Sequence, residues 1–273
     1  MRLLVTNDDG IDSIGLHVLV RELAPLGEVI VAAPDQECSG SGAAFGPLHI
    51  MRPEIQRARV AGASEAWTVN GPPGLCVILA RLGVYGPIDL VVAGINPGAN
   101  VGRSVYHSGT VGAALTARNG GISGVAVSQA VVGFGVEGQG WDDALANQLW
   151  DSAAVIGAAA VKALLDSLPA DPVVLNLNVP NLPLNEIKGW RETEVGHLPP
   201  RSVATARLEE RLGHEGRYRV HMDWGKPMAL PPHLDGGAVE DGYVSVSWLS
   251  RLVHESDGGP QGVGMCLDGL LGR

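Results

Sequence analysis

Apolar and polar residues alternate in blocks along the first 180 positions. Residues 2–6 (RLLVT) form a short apolar run, as a parallel strand buried on both faces would, and 28–32, 88–93, 124–128 and 173–179 repeat it. Between these runs the apolar residues fall at helical spacing. The pattern predicts helices over 14–24 with Ser13 as N-cap, over 72–83 with Pro72 and Pro73 in the first turn, from near Thr110, and over 142–168. In the last of these, positions 145, 149, 153, 156, 160, 164 and 168 are apolar, and Pro169 ends the pattern. Strands alternating with helices predict an α/β fold, with a mainly parallel sheet covered on both faces.

The pattern changes after about residue 185. Residues 217–224 (RYRVHMDW) alternate with period two and predict an antiparallel strand, with its hairpin partner expected near 189–196. Together they predict an extended hairpin or arm beside the sheet, a frequent device for oligomerisation. Residues 243–249 (YVSVSWL) predict a last strand, whereas the tail from 255 is too Gly-rich for a long helix. The chain therefore divides into a catalytic core at 1–184, an arm at 185–235 and a last strand with tail at 236–273, all in one domain.

Composition narrows the picture. Hydrophobic residues at 45% and charged residues at 18% exclude a disordered chain, and aromatics at 4% leave small aliphatic residues to fill the core. The 38 glycines and 18 prolines, without a collagen period, imply turns and loops where backbone approaches a ligand. A formal charge of −10 argues against a long nucleic-acid partner, whose affinity comes mostly from Lys and Arg. Cys38, Cys76 and Cys266 form no CxxC pair, as in a reduced compartment. The N-terminus meets two aspartates before a signal-peptide core could form, and the apolar run at 153–161 is too short to span a bilayer. A cytoplasmic protein with no membrane partner is expected.

Three loops carry the candidate chemistry, and each follows a strand. In a parallel sheet such loops emerge at one carboxyl edge, where ligands bind. The first holds Asp8 and Asp9, the second Ser39, Gly40, Ser41 and Gly42, the third Asn96, Asn100, Ser108, Gly109 and Thr110. Alone, Asp8-Asp9-Gly10 is an ordinary turn and helix cap. With Ser39 and Asn96 it becomes a set of hard oxygen donors, suited to Mg²⁺, Mn²⁺ or Ca²⁺ rather than zinc. No HxH or HExxH occurs among the eight histidines. Ser108-Gly109-Thr110 at a helix start is by itself a plain N-cap. Beside a dication, and with the Gly40–Ser41 amides, it becomes a phosphate cradle. Neither GxGxxG nor GxxxxGK[ST] follows the first strand.

VTNDDG at 5–10, APD at 33–35 followed by SG at 39–40, GINPGANVG at 94–102 and HSGTVGAA at 107–114 together resemble the SurE family. VNGPPGLCV at 69–77, LNVP at 177–180 and GYVSVSWL at 242–249 extend the resemblance over nearly the whole chain. It implies a Rossmann-like three-layer core with a projecting β-hairpin and a C-terminal oligomerisation segment, as a homodimer or homotetramer. It also implies a metal-dependent 5′/3′-nucleotidase acting on nucleoside monophosphates, with short polyphosphate or broader phosphatase substrates as the alternative. One divalent ion per subunit, Mg²⁺ or Mn²⁺ with Ca²⁺ possible in crystals, would sit on Asp8, Asp9, Ser39 and Asn96. Phosphate contacts would come from Asn96, Asn100, Ser108, Gly109 and Thr110, besides Gly40 and Ser41. Asp8 and Asp9 would be the catalytic pair, with Asp8 as base or orienter of the attacking water. His107 as general acid has no orienting partner by sequence. Gln36-Glu37-Cys38 departs from the polar or basic residues the family often has there, and Glu37 would weaken dianion binding. A nucleotide sensor that binds without turnover is the non-enzymatic alternative.

Overall fold

Leu3 and Val5 pack on one side of the first strand and Leu4 on the other, so that strand is covered twice and its residues are apolar without a break. In the computed structural model, the described residues are 1–46, 48, 50, 52–131, 145–198, 203–226, 228–251 and 261–271. The strands are β1 (Arg2–Thr6), β2 (Glu28–Pro34), β3 (Ile55–Ala58), β4 (Glu65–Val69), β5 (Leu90–Pro97), β6 (Ser123–Gln129), β7 (Val174–Val179), β8 (Trp190–Glu192), β9 (Val203–Glu210), β10 (Tyr218–Trp224) and β11 (Val244–Leu249). The helices are α1 (Ile14–Leu23), α2 (Pro73–Arg81), α3 (Gly109–Asn119), α4 (Trp150–Asp166), α5 (Asp235–Glu240) and α6 (Gln261–Leu271).

Among the described residues, one sheet of nine strands has the order β3-β4-β2-β1-β5-β6-β7-β11-β8. Its centre, from β4 to β7, is parallel throughout, while β3 and β11 pair antiparallel at its two sides. Residues of α1 and α4 join Leu3 and Val5 in one core layer, and those of α2 and α3 join Leu4, Ile30 and Val91 in the other. This is a three-layer α/β fold. From β1 the chain moves outward through β2 to β4, then returns to the other side of β1 as β5. The order thus reverses between β1 and β5, and a crevice opens there at their carboxyl ends.

Several elements differ from the sequence pattern. β5 runs on to Pro97, past a register shift between Gly94 and Asn96, because its ladder with β6 resumes at Asn96 and Ser128. α4 begins at Trp150, and the Leu149 amide just before it, which has no partner within the helix, donates to Asn181 Oδ1 at 2.8 Å. Of the expected 142–168 span, residues 142–144 lie outside the described residues. The antiparallel pair β3–β4 was not apparent, as β4 is only partly buried and β3 is largely exposed.

The hairpin partner expected at 189–196 is a correction. β10 pairs instead with β9, from Tyr218↔Glu210 to Trp224↔Val203, in a separate two-stranded sheet. Residues 190–192 are β8, which joins the main sheet beside β11. Period two alone does not choose between two exposed partners, and a strand with one short hydrogen-bonded neighbour looks the same in sequence. The tail also holds more structure than its glycines suggest, with α6 covering eleven residues. No helix among the described residues is long and apolar enough to cross a membrane.

Candidate active site

The loop after β1 is wound tightly on its own side chains. Asn7 Nδ2 donates to Gly10 O at 2.9 Å and to Ser13 Oγ at 2.6 Å, and Ser13 in turn caps α1 by accepting from the Leu16 amide. Between these ties, Asp8 and Asp9 are presented at the crevice. Backbone bonds bring the second loop to the same place: the Cys38 amide donates to Asp8 O at 2.7 Å, and the Gly42 amide to His107 O at 3.0 Å.

Asp8 is 2% exposed and forms the centre of the cluster. Its Oδ2 accepts from the Gly109 amide at 3.0 Å, and its Oδ1 accepts from Thr110 Oγ1 at 2.5 Å. Thr110 Oγ1 also lies 3.4 Å from Asn96 Oδ1, which draws the end of β5 into the group. Asn96 is held in turn by donating Nδ2 to Gly98 O at 2.7 Å. A Cβ on Gly109 would stand 2.7 Å from Asp8 Oδ2 and 2.7 Å from Ser41 Oγ, so glycine is required for these loops to close around the helix start. A Cβ on Gly112, one turn on, would meet Gly42 O at 2.0 Å, so the Ser-Gly loop lies directly on α3.

The electrostatics are lopsided. Burial pushes the Asp8 carboxyl up, and Glu37 adds to it, against the lowering bonds from Thr110 and Gly109. Asp9 is pushed up to about 8, first by burial and then by the charges of Asp8 and Glu37. Its Oδ2 is buried with no hydrogen-bond partner among the described residues. A pair of crowded carboxyls with an unmet oxygen fits a divalent cation. Among the described residues no three His, Cys, Asp or Glu side chains gather to hold a metal, so the donor set is mixed: carboxylate, amide and hydroxyl oxygens. That chemistry suits a hard ion.

The structure thus brings together Asp8, Asp9, Asn96, Gly109, Thr110 and Ser41. Ser41 Oγ is buried and has no partner among the described residues. Ser39 and Gly40 are exposed, and the Ser39 amide donates to Glu37 Oε1 at 2.8 Å. Two other residues have their side chains engaged elsewhere. Ser108 Oγ accepts from the Val111 amide at 3.1 Å as the N-cap of α3, and Asn100 Nδ2 donates to Ser128 Oγ at 2.8 Å. His107 is exposed.

Sequence reasoning missed the braces behind these residues. Asn176 and Asn178 each donate Nδ2 to Asn100 O, at 3.0 and 3.2 Å, and Asn178 Oδ1 accepts from the Asn100 amide at 2.7 Å. The signal was present: two asparagines two positions apart share one face of an otherwise apolar, fully buried strand, and buried amides need partners. Asp235 accepts from the Gly102 amide at 2.8 Å, and no local pattern marks that contact.

Comparison with known proteins agrees with the motifs. Residues 3–200 match the family model for Survival protein SurE. A protein named 5′-nucleotidase SurE from Dehalococcoides mccartyi is 38% identical over 259 residues, covering 93% of this chain and 91% of that one. Its namesake from Legionella pneumophila is 40% identical over 255 residues, covering 91% and 90%. The crystal structure of SurE protein from Aquifex aeolicus superposes with a TM-score of 0.72 at 29% identity, covering 99% of this chain and all of that one.

Proposed function

The chain belongs to the SurE family, and from that premise we propose that it is a divalent-metal-dependent nucleotidase, releasing phosphate from nucleoside 5′- or 3′-monophosphates. The names of its relatives support the 5′ activity. The observation that carries the metal dependence is the Asp8–Asp9 pair: two crowded carboxyls, both held above their ordinary range, with Asp9 Oδ2 buried and unpartnered among the described residues.

Asp8, Asp9 and Asn96, with Ser39 from the neighbouring loop, would hold one Mg²⁺ or Mn²⁺ per subunit. The ion's chemistry is to polarise a phosphate oxygen and offset the charge developing there. Asp8 is fixed by Gly109 and Thr110, which makes it a rigid acceptor able to orient the O–H of an attacking water. Ser41 Oγ is the hydroxyl left over to donate to a phosphate oxygen, alongside the exposed Gly40 backbone. Asn100 and Ser108, engaged elsewhere, serve by shaping the loop and the helix start. In-line attack forms one P–O bond and breaks the ester bond, leaving inorganic phosphate and a nucleoside hydroxyl.

Self-association is part of the same proposal. Leu208, Val220 and Met222 on the β9–β10 hairpin are 67%, 55% and 63% exposed, an apolar surface suited to a second copy of the chain as homodimer or homotetramer.

The test is a phosphate-release screen over nucleoside 5′- and 3′-monophosphates and short polyphosphate, with Mg²⁺, Mn²⁺ or chelator. Metal-dependent release from monophosphates is expected. Binding without any release would favour a sensor, and release from polyphosphate alone would shift the substrate class.

A further inference from the structure

The segment 97–107 joins the two halves of the candidate site, since Asn96 precedes it and the Ser108–Thr110 helix start follows. Its path is set from outside. Gln129 O accepts from the Gly98 amide at 2.7 Å, Asn176 and Asn178 grip Asn100, and at Gly102 the partner is Asp235, 133 positions away in sequence. Asp235 is fully buried. Its Oδ2 accepts from Gly102 at 2.8 Å, while Oδ1 accepts from Gly196 at 3.0 Å and from Gly236 at 2.8 Å.

Gly196 belongs to the root of the hairpin arm. There the Asp235 amide donates to Glu194 O at 2.9 Å, and the Glu194 amide to His233 O at 3.1 Å. The arm leaves the core just after Gly196 and returns just before Asp235. One buried carboxylate therefore ties the arm's root, through Oδ1, to the site loop, through Oδ2.

We propose that Asp235 is a positioning residue of the candidate site, pinning Gly102 so that Asn96 and Thr110 meet beside Asp8. This rests on the metal-site reading above. Gly98 and Asn100 are held at the β5 end of the loop; the buried bond at Gly102 extends that hold toward the start of α3, which narrows the loop's conformations before a ligand arrives. Residues that orient ligands from behind typically change metal affinity by about 10- to 100-fold when altered.

Asp235→Asn separates the two ties. The amide keeps Oδ1 for Gly196 and Gly236, but turns an NH₂ toward the Gly102 N–H, donor against donor. The arm's root is retained, and the loop loses its hold at Gly102 alone. In the full chain, Mn²⁺ affinity measured by titration calorimetry without substrate should weaken about tenfold or more. KM for a monophosphate should rise with it, and the melting temperature should fall a few degrees, because two buried donors then face each other; Asp241→Asn is the control expected to change neither. That control breaks only the surface pair with Arg191. In the unaltered chain, NMR hydrogen exchange should find the Gly102 amide protected like Gly196 and Gly236.

Unchanged Mn²⁺ affinity in Asp235→Asn, an equal loss in Asp241→Asn, or fast exchange at Gly102 in the unaltered chain would each overturn the proposal. An unaltered chain that binds no Mn²⁺ removes the metal reading and this proposal together. Binding of Mn²⁺ without hydrolysis removes only the nucleotidase reading. If Asp235→Asn does not fold, fast exchange at Gly102 in the unaltered chain still overturns the proposal.

Discussion

The backbone amide of Gly109 donates to Oδ2 of Asp8 at 3.0 Å, joining the first strand's loop to the start of α3 across a hundred residues of sequence. A helix start is a place for an anion. Here the protein's own carboxylate takes it, with Thr110 Oγ1 on the other oxygen. The helix thereby fixes the acid that would orient water, and a phosphate would be met by donors beside it. Gly109→Ala would put a methyl 2.7 Å from both Asp8 Oδ2 and Ser41 Oγ. Denaturant unfolding should show a loss of about 1–3 kcal/mol, and phosphate release should fall on the order of a hundredfold as Asp8 is displaced.

Asp9 gives the chain a pH signature in the absence of metal. Its carboxyl rises from 3.8 in the unfolded chain to about 8 in the fold, mainly through burial. Between those values the folded state keeps a proton that the unfolded state has lost. This group's contribution to stability is complete below about pH 4, falls as pH rises toward 8, and is flat above. In chelator, the melting temperature of Asp9→Asn minus that of the unaltered chain should therefore increase from pH 5 to pH 8. Saturating Mn²⁺ should reverse the sign of that difference at pH 8, because the Asp9 carboxylate would bind the ion more tightly than the amide that replaces it. A difference that stays constant with pH would show that Asp9 is not held protonated.

Ser41 separates stability from function. Its hydroxyl is buried and bonded to nothing among the described residues, so Ser41→Ala removes no protein hydrogen bond. Stability should change by less than about 1 kcal/mol, as a stranded polar group is a cost rather than a gain. KM for a monophosphate should rise several-fold, because a donor to phosphate is lost. An unaltered KM would assign the phosphate contact to another group.

Much of this was legible in the chain. Uninterrupted apolar runs placed β1, β2, β5, β6 and β7, though not the partly polar β4, and the loops after β1, β2 and β5 were named as one site because parallel topology sends them to one edge. Asp8, Asn96 and Thr110 do meet there. The sequence was less informative where partners are chosen by distance in space. The pairing of β10 with β9 rather than 189–196 depended on which exposed strand folds back on it. Ser108 and Asn100 could be named as part of the site, but not which atoms their side chains would satisfy. Asp235 reaches Gly102 only because the chain after the arm returns to the sheet, and no local spacing encodes that.

The proposed role of the Asp8–Asp9 crevice is metal-dependent release of phosphate. The most direct measurement is phosphate release from adenosine 5′-monophosphate by metal-stripped chain titrated with Mn²⁺, run beside Asp8→Asn of matched melting temperature. No release is expected in chelator, saturable release with Mn²⁺, and a loss of about a hundredfold or more in Asp8→Asn. Release that ignores chelator, or that survives undiminished in Asp8→Asn, would contradict that role.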